Sequence, residues 1–134
     1  MRTPYKLNSK HFQNVVQLPA GSRYDYFINK VADWQDIWSL KSADGWTTAA
    51  DDLCHKLVPV WPHPLFAEMC AHGERSNAKA SKIALCEWLD EWIPSLIENG
   101  ELVAVFPVPD GTGTPVTPQQ VRDDLRRELR RIEQ

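Results

Sequence analysis

Cysteine and histidine side chains, which can bind zinc or act as nucleophile and base, are concentrated in the middle of the chain. They are Cys54, His55, His63, Cys70 and His72. Structural zinc sites usually take their ligands from Cys-x-x-Cys pairs, and no such pair occurs here. We therefore predict that the protein binds no metal ion and no other cofactor.

The same segment contains the residue types of a cysteine-dependent enzyme. Cys70 with His63 as its base is the pairing that a hydrolase would use, and Cys54 with His63 is a second arrangement. A thiolate nucleophile also needs donors for an oxyanion, and neither cysteine is accompanied by a glycine-rich turn that would supply them. We therefore name no catalytic residue and favour a non-catalytic protein-binding domain. The alternative is a small-molecule-binding protein or a cysteine-dependent hydrolase.

The segment Trp61-Pro62-His63-Pro64, here called the proline corner, joins a predicted strand to a predicted helix. Each proline disfavours the helical conformation in the residue before it, so Trp61 and His63 should be extended and share one face. The positive end of the next helix disfavours imidazolium and attracts anions. We expect a neutral His63 and a cleft for a partner side chain or a small anion. The alternative is that Trp61 seals the core and His63 caps the helix.

Six tryptophans among 134 residues is a high number, and most of them are expected in the core. Trp46 follows a predicted hairpin turn and Trp61 lies at the proline corner, two places where complete burial is difficult. A rigid, exposed aromatic side chain suits a recognition surface because it loses little entropy on binding. The predicted binding face, with two glutamates at its rim, comprises Trp46, Trp61, His63, Phe66, Glu68 and Glu74.

Hydrophobic periodicity and turn residues predict helices and strands in mixed order. The expected helices begin near Asn8 or Ser9, at Ser22, at Pro64, near Trp88 and after Thr117. The expected strands are Asp36–Lys41, Trp46–Ala49, a run from Lys56, Ser81–Leu85, Leu102–Val108 and a stretch around Val116. Because Pro59 cannot donate to a ladder, the run from Lys56 is either an edge strand or a strand that points this position outward. Without regular alternation, the class is α+β: a small, mostly antiparallel sheet packed with about four or five helices in a single pair of layers. One domain should cover residues 1–134.

Two helices carry apolar stripes. The stripe expected to face the core, with glutamates and aspartates opposite and a kink at Pro94, is Trp88, Leu89, Trp92, Ile93, Leu96 and Ile97. In the last helix the stripe is Val121, Leu125 and Leu129, flanked by arginines. This helix either lies on the sheet as a charged edge element or forms the contact of a homodimer.

Composition limits the classes of function. Hydrophobic residues make up 43% and charged residues 25%, as in ordinary globular proteins, and the net charge of -3 argues against nucleic-acid binding. The first residues have no apolar run of a signal peptide, and no stretch approaches the roughly 20 residues of a membrane helix. Three cysteines cannot close a disulfide set, which favours reduced thiols and the cytoplasm. The expected partner is a protein of unknown identity.

Five blocks of this sequence are similar to those of a bacterial family. The blocks are Arg23-Tyr24-Asp25-Tyr26-Phe27, Asp44-Gly45-Trp46, Pro59-Val60-Trp61-Pro62-His63-Pro64, Glu91-Trp92-Ile93-Pro94 and Val105-Phe106-Pro107-Val108-Pro109-Asp110-Gly111. In this order, over about residues 20–130, the chain resembles domain of unknown function 2750, found mostly in small proteobacterial proteins. The first 20 residues lie outside the resemblance. The family supplies no catalytic residues, so the resemblance implies an uncharacterised bacterial protein and no particular activity.

Overall fold

The computed structural model describes residues 4–43, 45–50, 55–71, 77–109 and 113–133. Its helices are α1 (Ser9–Val16), α2 (Ala20–Trp34), α3 (Pro64–Met69), α4 (Leu85–Glu87), a π-helical segment (Trp88–Trp92), α5 (Ile93–Asn99) and α6 (Pro118–Glu133). Because α4, the π-helical segment and α5 follow without a break, they form one continuous helix. The described ranges therefore contain five helices, within the expected number.

The strands form two small sheets where the sequence predicted one. They are β1 (Asp36–Ser42), β2 (Gly45–Trp46), β3 (Ala49–Ala50), β4 (Lys56–Val60), β5 (Lys79–Ala84), β6 (Leu102–Val105) and β7 (Thr114–Val116). One sheet has the order β2-β1-β5 and the other β3-β4-β6-β7. Every pairing is antiparallel except that of β4 with β6. The α+β class and the mostly antiparallel pairing are confirmed.

The two sheets meet at the proline corner. The backbone N–H of Trp38 donates to the carbonyl of Trp61 at 2.9 Å, and the N–H of Trp61 donates back to Trp38 at 2.8 Å. Val60, the residue before Trp61 and the last of β4, is bonded in the other sheet: its carbonyl accepts from the N–H of Phe106 at 2.9 Å. The chain around Trp61 is therefore hydrogen-bonded to both sheets at once.

Of the two alternatives for Pro59, the edge strand is wrong, because β4 lies between β3 and β6. Pro59 is paired with Ala104 of β6, whereas β3 reaches only as far as Leu57. Beyond β3, the hydroxyl of Ser39 donates to the Pro59 carbonyl at 2.6 Å. On the side away from β6, Pro59 is therefore bonded to a side chain and not to a paired strand. The backbone N–H that proline lacks is not needed there.

Local signals located several elements correctly. The hairpin is confirmed by the pairing of Lys41 with Trp46 and of Ser42 with Gly45. Gly45 has a φ of +117°, a conformation that favours glycine. The Thr117 hydroxyl accepts from the N–H of Gln120 at 3.2 Å, as expected of a helix cap. By contrast, α2 begins at Ala20, two residues before the expected Ser22.

One buried arginine connects α2 to the end of β6. The Nε of Arg23 donates to the carbonyl of Phe106 at 3.3 Å, and its NH1 donates to the carbonyl of Leu18 at 2.6 Å. Phe106 has a φ of +56°, in the left-handed region. Such a conformation persists where surrounding contacts fix it, and the carbonyl that Arg23 engages is one of these contacts.

The apolar stripe of the continuous helix is only partly in the core. Trp88, Ile93 and Leu96 are buried, Trp92 is half-buried, and Ile97 is 37% exposed. A π-helical segment directly precedes Pro94: the N–H of Ile93 donates to the carbonyl of Trp88, five residues back. Pro94, which has no N–H to donate within the continuous helix, comes directly after this segment, at the start of α5.

The stripe of α6 is used largely within the chain. Val121 and Leu125 are fully buried and Leu129 is half-buried, and α6 packs on α2, α5 and β6. Of the three side chains predicted to form a homodimer contact, Val121 and Leu125 therefore face this chain's own core. Ile132, further along α6, is 46% exposed. Among the described residues, no helix has both the length and the apolar character needed to cross a membrane.

The burial pattern predicts unequal effects of two tryptophan substitutions. Trp88→Ala should lower the free energy of unfolding by about 3–5 kcal/mol, because it empties a fully buried site. Trp92→Ala should cost only about 1–2 kcal/mol, because its ring is already partly in water. Urea unfolding of both variants and the wild type measures the difference. Equal midpoints for the two variants would contradict this division of the stripe.

Candidate functional site

At the proline corner, both nitrogens of His63 are engaged by the backbone. Nδ1 accepts from the N–H of Leu65 at 3.1 Å, which caps α3, and Nε2 donates to the carbonyl of Tyr5 at 2.8 Å. Burial lowers the pKa of His63, although the hydrogen bond to Tyr5 and the charge of Glu68 act in the opposite direction. The imidazole is therefore neutral, as expected, with burial rather than the helix end as the main cause.

Two aromatic residues next to His63, Trp61 of the proline corner and Phe66 of α3, are also interior. Trp61 is fully buried and its Nε1 donates to the carbonyl of Pro107 at 2.8 Å. Phe66 is fully buried and stacks on Phe12, with ring centroids 5.1 Å apart. Trp61 thus seals the core and His63 caps the helix, which confirms the alternative interpretation of this segment. The expectation that Trp61 is difficult to bury completely is wrong.

The space in which a guest was expected at the proline corner contains Tyr5 of the same chain. The Tyr5 ring centroid lies 4.7 Å from that of His63 in an edge-on contact, and 5.6 Å from that of Trp34. Its hydroxyl is hydrogen-bonded to that of Tyr26 at 2.9 Å. With Tyr5 in place, His63 has no nitrogen left for a partner side chain or an anion.

The proposed hydrolase pair is not arranged for catalysis. Cys70 is buried, and its thiol donates to the carbonyl of Pro107 at 3.5 Å. A base must accept the thiol proton, and both nitrogens of His63 are already committed to Leu65 and Tyr5. Cys54 and His72 lie outside the described residues. Within the described ranges, no three histidine, cysteine, aspartate or glutamate side chains are grouped as metal ligands would be.

The structure thus separates the residues of the predicted binding face. Trp61, His63 and Phe66 come together, but in the interior. Glu68 is exposed on α3. Glu74 lies outside the described residues. Trp46 is half-exposed and lies in a different place, at the edge of a surface groove.

This groove, here called the tryptophan groove, lies between the β1–β2 hairpin, β4 and the continuous helix. Its volume is about 440 Å³. Its apolar lining is Trp46, Val58, Trp92 and Leu96, and its polar lining is Thr48, Glu87, Glu91, Ser95 and Glu101. The groove combines half-exposed aromatic surface with acidic side chains.

The two tryptophan rings of the groove support each other. The centroids of Trp46 and Trp92 are 5.1 Å apart and the rings are nearly perpendicular, at 83°. Trp92 in turn lies 5.7 Å from the buried Trp88. Edge-to-face contact is a favourable arrangement of aromatic rings. The groove is therefore anchored to the core through a row of three tryptophans.

The charge of the groove is predominantly negative. Glu87 and Glu91 are exposed and Glu101 is half-buried, and none of the three forms an ion pair within the part of the chain that the structure describes. A cation lies over one of the two rings: the Nζ of Lys41 is 5.0 Å from the ring centroid of Trp46. Lys41 is not one of the groove's lining residues.

Sequence reasoning found Trp46 and missed the rest of the groove. Trp92 was assigned to the core stripe, and the glutamates of that helix were assigned to the solvated side. Pro94 inside the helical pattern is the one local signal of altered helix geometry here, but it does not show which neighbouring side chains turn towards solvent. The pairing of Trp46 with Trp92 joins residues 46 positions apart, and no local pattern predicts it.

Comparison with known proteins identifies the family of the chain and no characterised relative. Residues 24–125, which are 102 of the 134, match the family model described as "Protein of unknown function (DUF2750)". A search of curated proteins finds no match.

The environment of His63 predicts a pH dependence of stability. Its pKa in the folded chain is below the ordinary value of 6.5, so the unfolded chain binds more protons as the pH falls below that value. Wild type should therefore lose stability between about pH 7 and pH 5 relative to His63→Asn, in which asparagine can cap α3 but does not titrate. Urea midpoints of both proteins across this range test the prediction. Parallel curves would show that His63 is not the titrating group.

Proposed function

Because the chain belongs to the DUF2750 family, described only as proteins of unknown function, we propose its function from its site alone. The protein is a non-catalytic binding domain that receives a short segment of a partner protein in the tryptophan groove. The observation that carries this proposal is the pair of half-exposed, perpendicular rings of Trp46 and Trp92 on one groove.

Tryptophan side chains suit this role for energetic reasons. Tryptophan is enriched among the residues that contribute most to protein interfaces. Half-exposed rings still have apolar surface to bury, which gives about 25 cal/mol for each Å² removed from water. The groove volume also falls within the range of about 300–1,000 Å³ that is typical of ligand sites.

The groove is also rigid, which lowers the entropy lost on binding. Trp46 is held opposite Lys41 in the hairpin ladder, and Trp92 ends the π-helical segment and packs against Trp88. Segments of π-helix are frequent at functional sites. These contacts support a preformed site rather than one assembled by the partner.

Binding without catalysis is favoured by the residue types present. No histidine or cysteine is among the described residues that line the groove, while His63 and Cys70 are buried in the core. We place the function in the bacterial cytoplasm. This is supported by the odd number of cysteines, three, and by Cys86, which is an exposed free thiol.

Filling the groove should abolish peptide binding. We expect a phage-displayed library of random peptides, selected on immobilised wild type, to yield clones that fail to bind Ser95→Phe. Ser95 is exposed and lines the groove, so a phenylalanine there occupies the site without disturbing the core.

The matched control is Ser9→Phe, an equally exposed position at the start of α1 and away from the groove. Selected clones should bind this variant as they bind wild type. Failure to enrich any clone, or clones that bind Ser95→Phe undiminished, would overturn the proposed function.

A further inference from the structure

We infer that the group received by the tryptophan groove is a cation, the side chain of a lysine or arginine on the partner protein. This inference rests on the proposed function and adds the chemistry of the contact. It is based on the described residues that line the groove, which include aromatic rings and carboxylates but no lysine or arginine.

The carboxylates supply the first attraction. Glu87, Glu91 and Glu101 line the groove, and no ion pair engages them within the described ranges. Glu101 also lines a neighbouring pocket with Lys56, whereas no lysine or arginine is among the described residues that line the tryptophan groove with Glu87 and Glu91. A partner carboxylate would be repelled here, whereas an ammonium or guanidinium group would be attracted.

The aromatic rings supply the second attraction. A cation within about 6 Å of a tryptophan ring centroid is stabilised by the negative face of the ring. Trp46 already makes this contact, since the Nζ of Lys41 lies 5.0 Å from its centroid. Lys41 does not line the groove, so the groove retains its own aromatic surface for a cation from outside the chain.

A preference for cations also explains the mixed character of the groove. A purely apolar guest would leave Glu91 and Glu101 without a partner as water is removed, which is unfavourable for charged groups. The long apolar stem of lysine or arginine can pack on Trp92 and Leu96 while its charged end reaches a carboxylate. One side chain of this type therefore matches both parts of the lining.

Three synthetic peptides test the inference. Each is a fluorescein-labelled Gly-Ser peptide that carries two lysines, two glutamines or two glutamates at the same positions. By fluorescence anisotropy at low salt, the lysine peptide should bind wild type at least about tenfold more tightly than the glutamine peptide. The glutamate peptide should show no binding. Because part of the attraction is electrostatic, affinity for the lysine peptide should fall several-fold at about 0.5 M salt.

Charge-reversal variants distinguish a specific contact from general attraction. Glu91→Lys should weaken binding of the lysine peptide by about tenfold or more. The matched control, Glu98→Lys, makes the same change of net charge at an exposed position of α5 that does not line the groove, and should weaken binding by less than about twofold. Both positions are exposed, so folding should be retained, and circular dichroism checks this.

Several results would overturn the inference. Equal weakening by Glu91→Lys and Glu98→Lys would mean that the peptide is attracted by net charge alone. Groove-dependent phage clones that are acidic or apolar, together with no binding of the lysine peptide, would reject the cation and leave the proposed function standing. Absence of any groove-dependent peptide would reject both.

Discussion

Burial of Trp61 is the constraint on which the rest of the structure depends. Its backbone forms both hydrogen bonds of the bridge to Trp38, and its indole Nε1 donates to the carbonyl of Pro107. The first contact joins the two sheets, and the second fixes the chain just after β6. Pro62 and Pro64 set the direction in which the chain leaves this point. One residue therefore connects both sheets and the loop that follows β6.

This constraint also bears on where the proposed binding site lies. Because Trp61, His63 and Phe66 complete the interior, and Tyr5 covers His63, the proline corner presents no recognition surface. Aromatic surface remains in the tryptophan groove, where Trp46 meets Trp92. Tryptophan is therefore found both in the core, at Trp61, and in the proposed binding groove, at Trp46 and Trp92. The burial of the rings in the fold distinguishes these positions, and the local sequence does not.

Much of the fold was predictable because its signals are local. The hairpin at Gly45, the cap at Thr117 and the proline at the start of α3 each act within a few residues. Burial of Trp61 was one of two interpretations of the proline corner, and local sequence could not decide between them, since the indole contacts Pro107, 46 residues away. The π-helical register before Pro94 was also hidden, because an α-helical projection of the same residues puts Trp92 in the centre of the stripe.

The candidate site was only half predictable for the same reason. Trp46 was recognised from its position after a tight turn, which restricts its burial. Its partners Trp92 and Glu91 come from a helix whose distance along the chain gives no hint of contact. Sequence patterns report which side of an element is apolar, whereas a groove is formed between elements.

The most direct test of the central claim uses the six tryptophans as reporters. Indole N–H signals in ¹H–¹⁵N NMR spectra can be followed while a lysine-containing peptide is added. The account predicts shifts of the Trp46 and Trp92 signals with saturation, and an unchanged signal from Trp61, whose N–H is held by Pro107. Shifts of Trp61 without shifts of Trp46 and Trp92 would contradict it and return the binding site to the proline corner.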